Sequence, residues 1–278
     1  MDLLTSILYG IIQGLAEFLP VSSSGHLAIF RALTGSDLEN FVAFEVLLHL
    51  GTFLAVIVMY YKDVWELIKH FFTLCGKLFK GKAGWKNLDA YEKLVVLLII
   101  ATIPLLVSAL VDHLLEALTT MLVVIGAILL LNACMLLLSD RLAKRAAGKT
   151  PEEAKPLDAA LIGICQFFAV LPGLSRSGTV ITSSLWRGLT REEAVRFALL
   201  TSLPTMFGAC VLKLPELFTS GTEPTQMLIY AAGAAAAFVV GLLAVGLLRL
   251  IARKGSFRGF AYYCFAVGAA VIVYGIVR

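Results

Sequence analysis

Six apolar stretches recur along the chain, near positions 41–61, 94–111, 118–138, 192–213, 226–250 and 258–277. Each has roughly the 20 residues that carry a helix across a hydrocarbon core of about 30 Å. They are rich in Leu, Ala and Val and lack the strict alternation of a barrel strand, which predicts helices. Two other stretches, 3–30 and 157–187, break the pattern. Each starts apolar, turns at Pro20 or at Pro172-Gly173, runs on through Ser and Gly, and becomes apolar again. This shape predicts two helical hairpins that enter the membrane and leave by the same face. Irregular backbone at that depth is tolerated only where protein or a water-filled cavity surrounds it, so both hairpins are expected at the centre of the molecule.

The two polar interruptions are copies of one motif. Ser22-Ser23-Ser24-Gly25 and Ser175-Arg176-Ser177-Gly178 stand 153 positions apart, and Gly10 with Gly163, Gln13 with Gln166, Phe44 with Phe197 and Thr52 with Thr205 match at the same offset. Six spans put corresponding points of the two halves on opposite faces, so the halves, approximately 1–138 and 155–278, are expected to form an inverted repeat within one membrane domain covering 1–278. Interruptions at corresponding places of two such halves are where membrane proteins build their sites. The fold class expected is an all-α polytopic membrane protein with six transmembrane helices and two re-entrant hairpins.

Composition agrees with a lipid environment. Hydrophobic residues make up 59% of the 278 positions and charged residues 15%, and mean hydropathy is +0.90. A soluble core of this size does not hide so much apolar surface. Four clusters hold 19 of the 23 Lys and Arg residues: Lys62 to Lys93, Arg141 to Lys155, Arg187 to Arg196, and Arg249 to Arg258. With six spans all four fall on one face, which the positive-inside bias makes cytoplasmic. The segments 62–93 and 139–156 are read as basic loops. The net charge of +4 follows from this topology and from attraction to anionic lipid, and calls for no nucleic-acid partner. Asp2 and the lack of any Lys or Arg before Arg31 argue against a cleaved signal peptide. The five cysteines are scattered and suggest neither disulfides nor a metal cluster.

Within the first hairpin Gln13 and Glu17 are four apart, on one helix face. A carboxylate in a membrane segment is costly unless paired or hydrated. Glu17 therefore either caps a neighbouring helix end or belongs to a site. Ser22, Ser23, Ser24, Gly25 and His26 read alone as a helix N-cap. The second copy shifts that balance, because Ser175, Arg176, Ser177, Gly178 and Thr179 combine hydroxyls, helix-start N–H groups and a guanidinium into a cradle for phosphate. An anionic substrate group or Glu17 is the natural counter-ion of Arg176. Glu45 and His49, also four apart, share a face of the first span; Glu45 is a secondary candidate, and His49 is read as structural. Asp112, His113 and Glu116 are read as a solvated connection. Trp65, Trp85 and Trp186 are read as interface anchors.

Gln13-Gly-Leu-Ala-Glu17-Phe-Leu-Pro-Val-Ser-Ser-Ser-Gly-His26, with Pro172-Gly-Leu-Ser-Arg-Ser-Gly178, resembles the two signature motifs of the undecaprenyl-diphosphatase (bacitracin-resistance) family. Phe44-Glu45, Leu50-Gly51 and the pattern of spans extend the likeness over essentially the whole chain. The resemblance implies an enzyme of the bacterial cytoplasmic (inner) membrane, with its site open to the outer face. It implies hydrolysis of a polyprenyl diphosphate lipid, undecaprenyl diphosphate, to undecaprenyl phosphate and inorganic phosphate, which recycles the carrier of cell-wall synthesis. It also implies a divalent cation, Mg²⁺ or Ca²⁺, with Glu17 and Gln13 as its expected ligands. Position by position, Glu17, Ser23, His26 and Arg176 match the catalytic set, Ser23 as the nucleophile and Arg176 as the phosphate-binding arginine. Two departures stand out: Gln13 lies where glutamate is common, and Thr179-Val180 lies where many relatives place threonine one residue later. Attack by Ser23 and direct attack by water held by Glu17 and His26 both remain open. So does a different class, a transporter or flippase of an anionic prenyl phosphate, which shares inverted repeats and a midplane arginine. Membrane lipids are the expected surroundings, and a homodimer is compatible with the sequence.

Overall fold

The structure, a computed structural model, describes residues 1–35, 41–108, 112–219 and 223–277. Among these it is helical, with one isolated bridge between Lys149 and Leu189. The first hairpin is α1 (Leu3–Phe18) followed by α2 (Ser23–Thr34). Asp2 opens α1 by accepting the Thr5 N–H at 2.9 Å, and Pro20 helps to end it, since the residue before a proline is pushed out of the helical region. Next come α3 (Phe41–Met59), α4 (Tyr61–Phe79), α5 (Ala90–Leu106), α6 (Asp112–Thr119) and α7 (Leu122–Ala143). The second hairpin is α8 (Pro156–Phe168) and α9 (Arg176–Trp186), followed by α10 (Arg191–Thr219), α11 (Pro224–Lys254) and α12 (Arg258–Val277).

Among the described residues four helices are long and apolar enough to cross a membrane: α7, α10 over Arg191–Lys213, α11 over Pro224–Arg253, and α12. The pair α3 and α4 makes a fifth if counted as one span, but it is bent by 91°. Six full crossings are thus more than the described helices supply by length and apolarity. The expected spans near 41–61 and 94–111 correspond to α3 and to α5. The latter has 17 residues, about 25 Å at 1.5 Å per residue.

The segment 62–93, expected as a basic loop, instead contains the 19-residue helix α4. Its charges interleave with apolar residues at helical spacing, so low mean hydropathy there marks an amphipathic helix. The α7 helix likewise runs on to Ala143 before the loop begins.

Small residues set the helix packing. Helix α1 lies on α11, α8 on α5, α7 on α12, and α3 on both α10 and α11. A Cβ at Gly10 would stand 2.1 Å from the Gly233 carbonyl oxygen on α11, and one at Gly163 would stand 2.7 Å from the Ala101 carbonyl oxygen on α5. Without a hydrophobic drive between helices in lipid, such close backbone approach is a main source of association. Gly10 and Gly163 stand at the same 153-residue offset as the two motifs; the first seats α1 against α11 and the second seats α8 against α5. The core between them is continuous from Phe18 and Leu97 to Leu129, Leu200 and Phe257.

Candidate active site

The two polar turns interlock. The Ser22 hydroxyl oxygen accepts from Gly25 N in its own turn at 3.3 Å and from Gly173 N in the other hairpin at 3.1 Å. Ser22 adopts φ 76°, the one positive φ among described non-glycine residues, a backbone state that costs of order 1–3 kcal/mol and persists only where the surroundings impose it. Gly25 permits the contact: a Cβ there would lie 3.0 Å from Gly173 Cα. Asn132, near the middle of α7, clamps both turns. Its amide nitrogen donates to Pro20 O at 3.0 Å, and its oxygen accepts from Ser175 N at 3.1 Å.

Glu17 stands where the hairpins meet. It is 7% exposed, and both carboxylate oxygens are engaged. Oε1 forms an ion pair with Arg176 Nη2. Oε2 accepts from the Ser23 hydroxyl at 2.8 Å and from Gln13 Nε2 at 3.1 Å, with His49 Nε2 3.8 Å away. Arg176 also donates through Nη1 to the Thr205 hydroxyl at 2.6 Å. Buried ions persist only when paired and hydrogen-bonded, and the cluster meets that condition from both sides. Ser23, Ser24 and Arg176 are half-buried, so the deep carboxylate is overlain by groups that keep part of their surface accessible. A hydroxyl donating to a buried carboxylate at 2.8 Å is placed to lose its proton as it attacks.

Other expected residues are spent differently. His26 Nδ1 donates to Ser22 O at 2.8 Å, and its Nε2 meets the Tyr263 hydroxyl at 2.8 Å, with the two rings stacked. Since a carbonyl only accepts, Nδ1 carries the proton, and in the neutral ring Nε2 accepts from Tyr263. His26 thus braces the strained turn, and both its nitrogens are engaged away from Ser23. Ser24 Oγ lies 3.5 Å from Ser22 Oγ. In the second turn the Ser175 hydroxyl caps α9 by accepting from Gly178 N at 3.2 Å and lies 3.0 Å from that of Ser177. The Thr179 hydroxyl donates to Ser175 O at 2.8 Å. Glu45 is half-buried, and its backbone carbonyl receives His49 Nδ1 at 2.9 Å. The side chains of Asp112, His113 and Glu116 lie outside the described residues.

His49, read from sequence as structural, reaches Glu17, and Thr205 and Asn132 enter the cluster unannounced. An Asn inside the apolar α7 is a signal that such polar residues in membrane helices generally give. Thr205 had only its repeat partner Thr52 to mark it. Among the described residues no three His, Cys, Asp or Glu side chains converge as a metal cage. The Gln13 Oε1 atom is buried without a hydrogen-bond partner beside the Glu17 carboxylate. One carboxylate, one amide oxygen and nearby hydroxyls suit a hard cation that takes its other ligands from phosphate and water.

Comparison with known proteins adds the following. The family model for bacitracin resistance protein BacA matches residues 6–270. An undecaprenyl-diphosphatase of Alkaliphilus metalliredigens is 33% identical over 277 residues, 99% of this chain and 100% of the relative. One from Desulforapulum autotrophicum is 36% identical over 284 residues and the full length of both. One from Methanococcus vannielii is 37% identical over 270 residues, 97% of this chain and 99% of the relative.

Proposed function

The chain belongs to the bacitracin resistance protein BacA family, and from that membership together with the buried cluster we infer its activity. It is a membrane phosphatase, an undecaprenyl-diphosphatase that hydrolyses undecaprenyl diphosphate to undecaprenyl phosphate and inorganic phosphate. The observation that carries the chemistry is the Ser23 hydroxyl donating to Glu17 Oε2 at 2.8 Å while Arg176 holds Oε1. A pocket that only bound and carried an anion would not need a hydroxyl aimed at a carboxylate.

In the reaction we assign, the terminal phosphate lies against the remaining N–H donors of Arg176 and the N–H groups that open α9. Ser23 Oγ forms a bond to the terminal phosphorus as the bridging P–O bond breaks. Undecaprenyl phosphate departs with that bond's electron pair, and the hydroxyl proton passes to Glu17. Water then attacks the phosphoserine, returning the serine and releasing inorganic phosphate. Arg176 neutralises the charge that spreads over the equatorial oxygens, the main catalytic demand of phosphoryl transfer. Gln13 and His49 hold Glu17 Oε2 toward Ser23. Glu17 and Gln13 would hold a divalent cation, which would supply further charge neutralisation.

The architecture we propose around this site is the inverted repeat of approximately 1–138 and 155–278 within one domain. The exchanged packing supports it, with α1 on α11 and α8 on α5. The same reading puts the basic clusters on the cytoplasmic face and the site toward the outer face of the cytoplasmic membrane, where the lipid diphosphate would enter laterally from the bilayer.

Phosphate release from a prenyl diphosphate by purified protein in detergent, with and without EDTA, tests the assignment. Release by the wild type that is lost in Glu17→Ala and Arg176→Ala supports it; a well-folded wild type with no release across several cations and prenyl lengths overturns it.

A further inference from the structure

Helix α4 divides into three lengthwise stripes. Val64, Leu67 and Leu74 pack into the core. Trp65, Ile68, Phe72 and Phe79, spaced three, four and seven apart on one helix face, are 61%, 45%, 69% and 93% exposed. Between that apolar face and the polar one runs a third stripe, Lys62, Lys69 and Lys80, all exposed. Among the described residues only the first stripe is packed into the core; the second and third meet neighbours on α4 itself, as Lys69 meets Glu66 and Trp65, and otherwise suit an environment that is apolar on one side and anionic on the other.

The direction of the helix says where that environment lies. At Tyr60 the chain turns by 91° out of α3, which packs along α10 and α11, two helices long and apolar enough to cross a membrane. A helix at right angles to such a bundle runs in the membrane plane. It is fastened there by the Asp63–Arg196 pair at 2.6 Å, the Lys77–Glu92 pair at 2.5 Å and the stacking of His70 on Tyr91. The segment 61–89 carries six lysines against three acids, Asp63, Glu66 and Asp89. Each acid already has a basic neighbour: Asp63 has Arg196, Glu66 has Lys69, and Asp89 has His70 at 3.7 Å. The charge of Lys62, Lys80 and Lys82 is therefore left facing outward. A tryptophan over which a lysine sits, as Lys69 does over Trp65 at 5.9 Å, combines the two residue types that anchor helices at headgroup level.

We propose that α4 is an in-plane anchor that docks on the anionic phospholipid headgroups of the bilayer, with Trp65, Ile68, Phe72 and Phe79 sunk at the headgroup–acyl boundary and its lysines on the headgroup charge. The inference stands on this helix alone and does not depend on the reaction assigned to the buried cluster.

The test keeps Trp65 as the single tryptophan by Trp85→Phe and Trp186→Phe. The full chain is placed in nanodiscs of phosphatidylcholine alone or mixed with phosphatidylglycerol, with bromine close to the headgroup or deep in the chains. Trp65 should be quenched by the shallow bromines more than by the deep ones. Brominated phosphatidylglycerol, as the minor component, should quench it more than equally dilute brominated phosphatidylcholine. Replacing Lys62, Lys80 and Lys82 by Gln should lower that preference by at least about fivefold, the order expected when even one surface lysine leaves anionic lipid. A monodisperse, helical variant shows that folding has survived. Trp65 insensitive to bromine at either depth, equal quenching by both lipids, or an unchanged preference in the triple variant would each overturn the proposal. So would protection of Trp65 by a second copy of the chain, seen as quenching that falls as protein is added per disc.

Discussion

Ser23 and Arg176 occupy the same place in two copies of one motif, 153 positions apart, and both bind the carboxylate of Glu17. The two turns share one motif, and their difference at this position puts a hydroxyl on one side of a buried acid and a cation on the other. The second copy has Val170 at the place of Glu17, so the fold has two similar turns but one acid between them.

The nucleophile is the first point to test. Ser23→Ala removes the hydroxyl to which we assign the attack and leaves Glu17 with Arg176, Gln13 and His49, so the site should still bind substrate. We predict a fall in kcat of about 10³-fold or more with KM little changed, the pattern of an interaction made in the transition state. Acid quenching of the wild type with labelled prenyl diphosphate should trap a phosphoserine that the variant lacks. Near-normal turnover by Ser23→Ala would mean that water, not serine, attacks.

Arg176 and Glu17 should not behave alike. Arg176→Lys keeps a positive charge near Glu17 but loses the planar fork that reaches Thr205 and the carboxylate together. A loss of about 10²–10³-fold in kcat with a nearly unchanged melting temperature is expected. Glu17→Ala leaves the half-buried guanidinium without its partner, and removing one member of a buried pair costs about 3–5 kcal/mol. Its thermal stability should therefore drop along with activity. Equal stability in the two variants would show that the pair is not held as the structure has it.

His49 is a positioning residue by its geometry: Nδ1 donates to Glu45 O and Nε2 lies 3.8 Å from Glu17 Oε2, so it is the doubly protonated ring that donates toward the carboxylate. His49→Ala should lower kcat by about tenfold with KM unchanged, and His49→Gln, whose amide can still donate toward the carboxylate, should recover most of it. If Gln and Ala are equally impaired, the donor toward Glu17 is not what matters.

How much of this was legible beforehand follows from the physics of each signal. Glu17 and Arg176 stand out because an ionised group in an apolar stretch is costly unless it has a purpose, and the paired Ser-x-Ser-Gly turns repeat at a fixed offset. His49 does not stand out, because a histidine on a helix face has many harmless uses, and its choice of Glu17 over Glu45 depends on how α3 is rotated against α1. Thr205 is one more threonine on a long helix. The bend at Tyr60 has no proline or glycine to announce it; Tyr60 is instead pinned by the Arg249 guanidinium 5.2 Å over its ring. Helix α4 is hidden from any average of hydropathy, since its lysines dilute its aromatics, and only the three- and four-residue spacing separates it from a loop.

Asn132 offers a test of the clamp apart from the chemistry. Asn132→Leu would leave Pro20 O and Ser175 N without partners in a buried place, at about 1–3 kcal/mol each. We predict a melting temperature several degrees lower, and activity that falls because the two turns no longer hold Ser23 and Arg176 in register. Normal stability would imply that water or a shifted backbone replaces the clamp.

Gln13 gives the sharpest test of the cation. Its Oε1 is buried and unpartnered, next to a carboxylate whose charge Arg176 already balances. Gln13→Glu would put a second carboxylate one helical turn from Glu17, and two acids cannot both stay ionised beside one guanidinium without a further positive charge or a proton. If a divalent cation binds at these oxygens, the variant should bind it more tightly than the wild type. Added Mg²⁺ or Ca²⁺ should then raise its melting temperature, by an increment growing with cation concentration as binding to the folded state alone requires. EDTA should reverse the gain, and the wild type without substrate should respond much less. The readout is stability, so it holds even for a variant that turns over slowly. A Gln13→Glu protein whose melting temperature ignores cations would show that the new acid has taken up a proton, and that the cation seat does not include position 13.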